Sequence, residues 1–182
     1  MSIINNPNTG TIIDAFEKRV LSTPNEPAII FKENTYSYFE VKNICHRISI
    51  SLVQFGIVKG DTVGILISRS ELFLMLPIAV TQIGAVFVPI DTNLPIGQIN
   101  KIIHEAKLKL IITDLVGITI EAVPTFIITK QFLCTFKNQV VEKGALSLPS
   151  VYPDDLMCIF FTSGSTGTPK GVMHKHQSVY NM

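Results

Sequence analysis

Apolar residues recur every three or four positions in four stretches of the chain, the spacing typical of one buried face of an α-helix. These stretches cover residues 12–20, 41–55, 70–83 and 96–106. Gly56 follows the second stretch and can end a helix with a positive φ. Pro77 lies inside the third and is expected to kink it, whereas Pro95 suits the first turn of the fourth. We therefore predict four helices, the third of which is apolar on almost every side.

Short apolar runs of strand length lie between and after these stretches, at residues 28–31, 63–67, 85–89, 110–113 and 157–161. An uninterrupted apolar run indicates a strand that is buried on both faces. From residue 63 onward such strands alternate with helices, which favours a parallel sheet with right-handed crossovers. The predicted fold is therefore α/β, with a mostly parallel sheet covered by helices on both faces.

The pattern weakens between residues 130 and 155, where Gly144, Pro149 and Pro153 stand among polar residues. Such a stretch is typical of a long irregular connection. With 182 residues in total, the chain is expected to form one folded unit, and its hydrophobic content of 47% indicates a globular rather than a disordered chain.

Charge and cysteine content exclude several classes of function. The formal net charge is +1, without a basic stripe, so nucleic acid is a poor candidate for a partner. Cys45, Cys134 and Cys158 are widely spaced, which suggests neither a disulfide framework nor a zinc site. The first ten residues lack the charged and apolar regions of a secretory signal, so a cytoplasmic location is expected.

One uncharged stretch, residues 72–90, approaches the roughly 20 residues that a membrane helix needs. Its interior contains Pro77, Gln82, Gly84 and Pro89, which divide it into a helix-length piece and a strand-length piece. We therefore expect no membrane association.

The segment with the clearest chemistry is FTSGSTGTPKGV, residues 161–172, directly after a predicted strand. Its glycines, 164, 167 and 171, are able to take a positive φ, so that successive backbone N–H groups can converge on an anion. Five hydroxyl side chains add donors, and Lys170 supplies a mobile cation for phosphate oxygens. A site for a polyphosphate follows from this combination, because such donors also stabilise the charge that develops on a leaving pyrophosphate.

Two other interpretations of this segment are weaker. The P-loop pattern of nucleoside triphosphatases requires glycine where Pro169 stands and a hydroxyl where Gly171 stands. A surface turn rich in small polar residues is the other interpretation, and it does not account for twelve successive positions of this kind.

The segment resembles the signature loop of the adenylate-forming superfamily, which includes peptide-synthetase adenylation domains, acyl-CoA synthetases and luciferases. Two earlier segments resemble that family in the same order along the chain. YSYFEV at residues 36–41 is similar to its early SYxEL element, with departures at Phe39 and Val41. GAVFVPID at residues 84–91, followed by Leu94 and Pro95, is similar to the AGAAYVPIDPxYP element of amino-acid-activating members. The resemblance thus extends over nearly the whole chain.

In that family the signature loop binds the β- and γ-phosphates of ATP. The resemblance assigns this role to Thr162, Ser163, Gly164, Ser165, Thr166, Gly167, Thr168, Lys170 and Gly171. It implies a ligase that activates an amino acid as aminoacyl-AMP, releases pyrophosphate and passes the acyl group to a phosphopantetheine thiol. ATP, Mg²⁺ and a carrier protein domain are then the expected cofactors and partner.

The resemblance also implies that residues 1–182 are an incomplete N-terminal portion of the domain. The family's substrate pocket, adenine pocket, hinge and small C-terminal domain with its catalytic lysine lie beyond Met182. No catalytic residue is therefore expected within the chain, and we expect the chain alone not to make adenylates. The alternatives are part of an acyl-CoA or aryl-acid ligase and, from another class, a noncatalytic nucleotide-binding module or one half of a split enzyme.

The histidines give weaker signals. His174 and His176 are spaced to share one face of a strand, but two ligands are few for a metal, so no metal site is predicted. His46 and His104 lie on predicted helices with no partner near in sequence, and we expect structural roles for both.

Overall fold

The computed structural model describes residues 10–117, 120, 123–136, 148–162 and 169–181. Within these residues the helices and strands follow one another along the chain in the following order. They are α1 Ile12–Ser22, β1 Pro27–Phe31, β2 Asn34–Ser37, α2 Tyr38–Gln54, β3 Thr62–Leu66, α3 Leu72–Gln82, β4 Val86–Pro89, α4 Ile96–Glu105, β5 Leu110–Thr113, β6 Thr125–Ile127, α5 Lys130–Phe136, β7 Leu156–Thr162, β8 Lys170–Lys175 and α6 His176–Tyr180.

Capping boxes determine where the first two long helices begin. At α2 the Glu40 backbone N–H donates to Ser37 Oγ over 3.2 Å, and the Ser37 N–H donates to Glu40 Oε2 over 2.8 Å. Thr11 and Asp14 form the same reciprocal pair at the start of α1. These bonds satisfy backbone donors that have no partner within the helix. Gly56 follows the end of α2 with a φ of 82°, which confirms the predicted stop.

The main sheet has six strands in the order β6-β5-β3-β4-β7-β8. Every neighbouring pair from β6 to β7 is parallel, and β8 is antiparallel to β7. The predicted mostly parallel sheet is therefore confirmed. The chain moves from β3 to β4 through α3, then returns through α4 to place β5 on the other side of β3. This reversal of direction lies at the centre of the sheet.

Helices cover both faces of this sheet, as the sequence predicts. A separate hydrophobic core lies between the sheet and the helices on each face. Val63 and Ile65 of β3 belong to the core beneath α2 and α3, and Leu66 belongs to the core beneath α4. Alternate residues of β3 thus contribute to opposite cores, because side chains alternate across a strand. This explains the uninterrupted apolar run that predicts the strand.

Three elements differ from the sequence-based prediction. β2 pairs antiparallel with β1 in a separate two-stranded sheet, and its polar sequence NTYS gives no apolar signal. β6 is absent from the predicted strands, because it is only three residues long and gives too short an apolar run. The prediction of an irregular connection is wrong for α5, a helix of seven residues that buries Leu133. A helix so short presents too few apolar repeats to be recognised by periodicity.

The uncharged stretch of residues 72–90 forms α3 and β4, as its composition predicts. Pro77 lies within α3. In the part of the chain that the structure describes, no helix has the length and apolar character needed to cross a bilayer.

Candidate functional site

A cleft of about 830 Å³ opens at the carboxyl ends of β3, β4 and β7. It lies where the strand order reverses, and ligands of open α/β sheets bind outside the carboxyl ends of the strands at such a point. Residues at or after all three strand ends contribute to its walls, among them Ile67, Arg69, Ile90, Asp91 and Phe161, together with Phe73 of α3. The walls are largely apolar, with a few polar groups at the rim, a composition that is typical of small-molecule sites.

Hydrogen bonds order the polar loops at this edge. The backbone N–H and the side-chain amide of Asn93 both donate to Asp91 Oδ1, each over 2.9 Å. After β3, the Ser68 N–H donates to Asp114 Oδ1 over 3.0 Å, which ties the end of β3 to the end of β5. Hydrogen bonds within and between the loops therefore fix the rim of the cleft.

The strands β7 and β8 form an antiparallel ribbon, and the pair Thr162 and Lys170, which we call the ribbon tip, lies at the same edge. β7 is parallel to β4, so Thr162 at its carboxyl end and Lys170 at the start of β8 lie on the side of the cleft. Thr162 and Lys170 are paired in register, and Thr162 Oγ1 lies 3.5 Å from the Lys170 carbonyl oxygen. Both residues are exposed. A residue with a hydroxyl and a residue with an ammonium group thus lie side by side at the edge of the sheet where the cleft opens.

Of the nine predicted phosphate-binding residues, the structure describes Thr162, Lys170 and Gly171. The other six, Ser163, Gly164, Ser165, Thr166, Gly167 and Thr168, lie outside the described residues. Thr162 and Lys170 are brought together, and their role in binding phosphate stays a prediction. Among the described residues no carboxylate forms an ion pair with Lys170.

Gly171 differs from the expectation for the loop glycines, because it lies within β8 and its φ is not positive. It is paired with Phe161 across the ribbon. A Cβ atom at Gly171 would lie 2.8 Å from Ile159 Cγ2 and 3.2 Å from Phe161 Cζ. Close side-chain packing, rather than backbone conformation, therefore requires glycine here.

The two histidines near the ribbon do not share a strand face, so that prediction is wrong. His174 lies in β8, with its ring 5.7 Å from that of Phe160, but His176 begins α6 and is fully buried. Burial lowers the pKa of His176 against the opposing effect of the Asp155 and Asp14 carboxylates, so the ring is held neutral. Within the described ranges no cluster of three His, Cys, Asp or Glu side chains could hold a metal ion.

Cys158 lies on β7 where that strand meets β4. Burial raises the pKa of its thiol to about 11, so it stays protonated near neutral pH. The described part of the site therefore contains cationic and hydroxyl groups suited to binding an anion, and no activated cysteine at this position.

The sequence argument missed the contribution of the other strand ends, including Arg69 after β3 and Asp91 after β4. The sequence contains a usable signal, because each residue lies two positions after an apolar run that predicts a parallel strand. The carboxyl ends of parallel strands meet at one edge, where ligands bind. The structural role of Phe161 beside Gly171 had no comparable signal.

Comparison with known proteins gives consistent results. A family model described as AMP-binding enzyme matches residues 16–182. The chain is 28% identical to vanchrobactin synthetase VabF of Vibrio anguillarum over 177 residues, which are 94% of this chain and 6% of that protein. It thus spans a small part of that relative.

Two solved structures from Klebsiella oxytoca share the fold. The NpsA N-terminal subdomain in complex with 3-hydroxyanthranilyl-AMSN aligns with a TM-score of 0.77 and 29% identity, covering 91% of this chain and 40% of that one. NpsA-ThdA, an artificially fused adenylation-PCP di-domain, aligns with a TM-score of 0.80 and 28% identity, covering 92% of this chain and 33% of the fusion. Less than half of each neighbour is represented.

Proposed function

The chain belongs to the AMP-binding enzyme family, and from this premise we propose that it is the N-terminal portion of an amino-acid-activating adenylation domain. The complete enzyme joins the carboxylate of an amino acid to the AMP moiety of ATP. An oxygen of the carboxylate attacks the α-phosphorus, the bond between that phosphorus and the bridging oxygen to the β-phosphate breaks, and pyrophosphate leaves.

The proposed role of the chain in this reaction is to hold the outer phosphates. Lys170 donates charge-assisted hydrogen bonds to phosphate oxygens, and Thr162, with the adjoining residues 163–168, supplies hydroxyl and backbone donors. Negative charge builds on the departing pyrophosphate during the transfer. Donors that are already in place stabilise this charge without reorganising during the reaction.

One observation carries the proposal most directly: the in-register pairing of Thr162 with Lys170 at the carboxyl edge of the sheet. The motif could not bind a triphosphate if its flanks were buried or lay at the opposite edge. Both flanks are instead exposed, beside a cleft at the point where the strand order reverses.

Mg²⁺ fits this arrangement as an ion that arrives with ATP. It retains several waters and is commonly held by phosphate oxygens with one or two carboxylates. A carrier domain is the proposed acceptor of the acyl group, in keeping with the adenylation-PCP fusion among the structural neighbours. We propose a cytoplasmic location from the cysteines of the described residues, Cys45, Cys134 and Cys158, which are all free thiols.

An aryl acid is the second candidate substrate. It is favoured by the neighbouring NpsA subdomain, whose structure contains a 3-hydroxyanthranilyl compound. The test is ATP–pyrophosphate exchange in a protein that carries this sequence with the rest of an adenylation domain. Exchange dependent on an α-amino acid supports the first candidate, and exchange dependent on a benzoic acid supports the second.

The binding role is tested on the chain itself by calorimetric titration with Mg·ATP and with AMP. If the site holds the outer phosphates, Mg·ATP should bind at least about tenfold more tightly than AMP, since hydrogen bonds to charged groups contribute about 1.5–3 kcal/mol each. Equal affinities would contradict the assignment. We also expect pyrophosphate exchange by this chain to stay at background, and exchange above background would refute that expectation.

A further inference from the structure

The outer part of the β7–β8 ribbon is joined to β4 mainly by side-chain packing, whereas β7 and β8 are paired with each other out to Thr162 and Lys170. Cys158 of β7 is paired with Phe87 of β4, and no further pair between these strands is formed among the described residues. Beyond Cys158, the ring of Phe160 meets that of Phe87 edge-on, with their centroids 6.2 Å apart. On the opposite face of the ribbon, Ile159 and Phe161 pack against the core beneath α4.

Phe161 is the last of these packed residues before the tip of the ribbon. Its ring lies over Gly171, where even one added methyl group would collide with the ring and with Ile159 Cγ2. The next pair toward the tip is Thr162 and Lys170. The partly buried Phe161, which packs against the core beneath α4, is therefore one residue pair away from Lys170.

We propose that Phe161, packed on Gly171, is a positioning residue that holds Lys170 where the outer phosphates of the nucleotide bind. The inference rests on the proposed function, because its readout is the affinity for Mg·ATP. Because the ribbon has few ladder hydrogen bonds to β4, the position of the Thr162–Lys170 pair depends on the packing of the neighbouring pair, Phe161 and Gly171. If that packing is lost, Lys170 samples many positions, and its interaction with phosphate is offset by the entropy of ordering it.

The first test removes the ring and then restores it. Phe161→Ala should weaken the binding of Mg·ATP by about fivefold to tenfold, whereas Phe161→Tyr, which keeps the ring, should stay within about twofold of the wild type. Hydrogen exchange at residues 160–162 and 170–172 should accelerate by about tenfold in Phe161→Ala and stay unchanged in β3. Met173→Ala, at an exposed position of β8, is the matched control and should change neither quantity.

The second test uses the close contact at Gly171 and stays informative if removal of the ring impairs folding. Gly171→Ala places a methyl group 2.8 Å from Ile159 Cγ2 and should weaken Mg·ATP binding. Ile159→Leu moves the branch point away from Cβ and removes this atom, so the double variant Ile159→Leu/Gly171→Ala should recover most of the affinity. Ile159→Leu alone conserves the side-chain volume and should bind like the wild type.

The outcomes separate the two proposals. If the wild type binds Mg·ATP and Lys170→Ala weakens that binding, but Phe161→Ala and Gly171→Ala leave it within about twofold, the positioning role is overturned and the phosphate site stands. Accelerated exchange in Phe161→Ala without a loss of affinity overturns it in the same way, since the packing would then be only structural. If the wild type does not bind Mg·ATP, the proposed function itself fails.

Discussion

The centre of the sheet and the tip of the β7–β8 ribbon differ in how many backbone pairs join them to neighbouring strands and in how deeply their side chains are buried. β3 is paired with β4 over residues 62–65 and with β5 over residues 63–66, and residues 63–66 are all buried. Among the described residues the ribbon has a single backbone pair to β4, and it exposes apolar side chains such as Val172 and Met173. The centre of the sheet is thus a scaffold, and the chemically distinctive residues lie at its less embedded margin.

This difference indicates that the buried scaffold provides most of the stability, whereas the residues proposed to bind the ligand lie at the ribbon tip. Apolar burial at about 25 cal/mol per Å² makes the scaffold insensitive to surface changes but sensitive to every core truncation. Regions with few ladder bonds and exposed backbone open at lower free energy, and ligand-binding elements are drawn from them. We therefore expect substitutions in the scaffold to change the free energy of unfolding, and substitutions at the ribbon tip to change binding.

The largest effect on stability should come from Leu76→Ala in α3. Leu76 is fully buried in the core beneath α2 and α3, so its truncation leaves a cavity and should lower the free energy of unfolding by about 3 kcal/mol. Urea denaturation measures this change. The control is Met173→Ala on the ribbon, where the side chain is 69% exposed and the expected change is below about 0.5 kcal/mol. Similar losses of unfolding free energy in both variants would contradict the proposed difference between the buried scaffold and the exposed ribbon.

A smaller effect is expected from Ser37→Ala at the start of α2. This substitution removes the acceptor of the Glu40 N–H and should lower the free energy of unfolding by about 1 kcal/mol. Ser51→Ala is a matched control within the same helix, because Ser51 only donates from its side chain to the Arg47 carbonyl. Its expected change is within about 0.5 kcal/mol, and an equal loss at both serines would exclude the capping box as the cause.

A modest pH dependence should arise from two histidines, one in α2 and one at the start of α6. Burial, then the nearby Lys42 ammonium, lowers the pKa of His46 in α2, and burial lowers that of His176 directly after the ribbon. Both rings are favoured as neutral in the folded state. Their contribution is therefore complete above the unfolded pKa of about 6.5 and is lost as the pH falls through and below that value.

Denaturation between pH 7.5 and pH 5, about the range in which carboxylates remain ionised, measures this dependence. His46→Gln and His176→Gln should each flatten the decline in the free energy of unfolding on the acid side. A decline of unchanged slope in the double variant would assign the pH dependence to other groups. The slope, rather than the absolute stability, is the quantity compared, because replacing the buried His176 also changes packing.

The scaffold could be predicted from the sequence because its determinants are local and periodic. The apolar spacing of residues 41–55 and the apolar run of residues 63–67 have direct counterparts in α2 and β3. The β1–β2 hairpin was only half predicted. Its turn depends on Lys32, a non-glycine residue with a φ of 53°, which residue preferences do not suggest.

For the candidate site, the motif predicts the chemistry but not the geometry around it. Sequence reasoning finds Thr162 and Lys170, because hydroxyl and ammonium groups in this order suit phosphate. It could not find the packing of Phe161 on Gly171, since that contact depends on the register of two strands separated by the loop. It also missed Arg69 and Asp91, which reach the cleft from strands distant in sequence.

The central claim is that Lys170, at the ribbon tip, binds the outer phosphates of a nucleotide. The most direct measurement is calorimetric titration of Mg·ATP into the wild type, Lys170→Ala and Lys175→Ala. Lys175 is an exposed lysine of the same strand, paired with Asp154 away from the cleft edge. Our account predicts a loss of affinity of about tenfold for Lys170→Ala and of less than about twofold for Lys175→Ala. Equal affinities for all three proteins, or equal losses for the two variants, would contradict it.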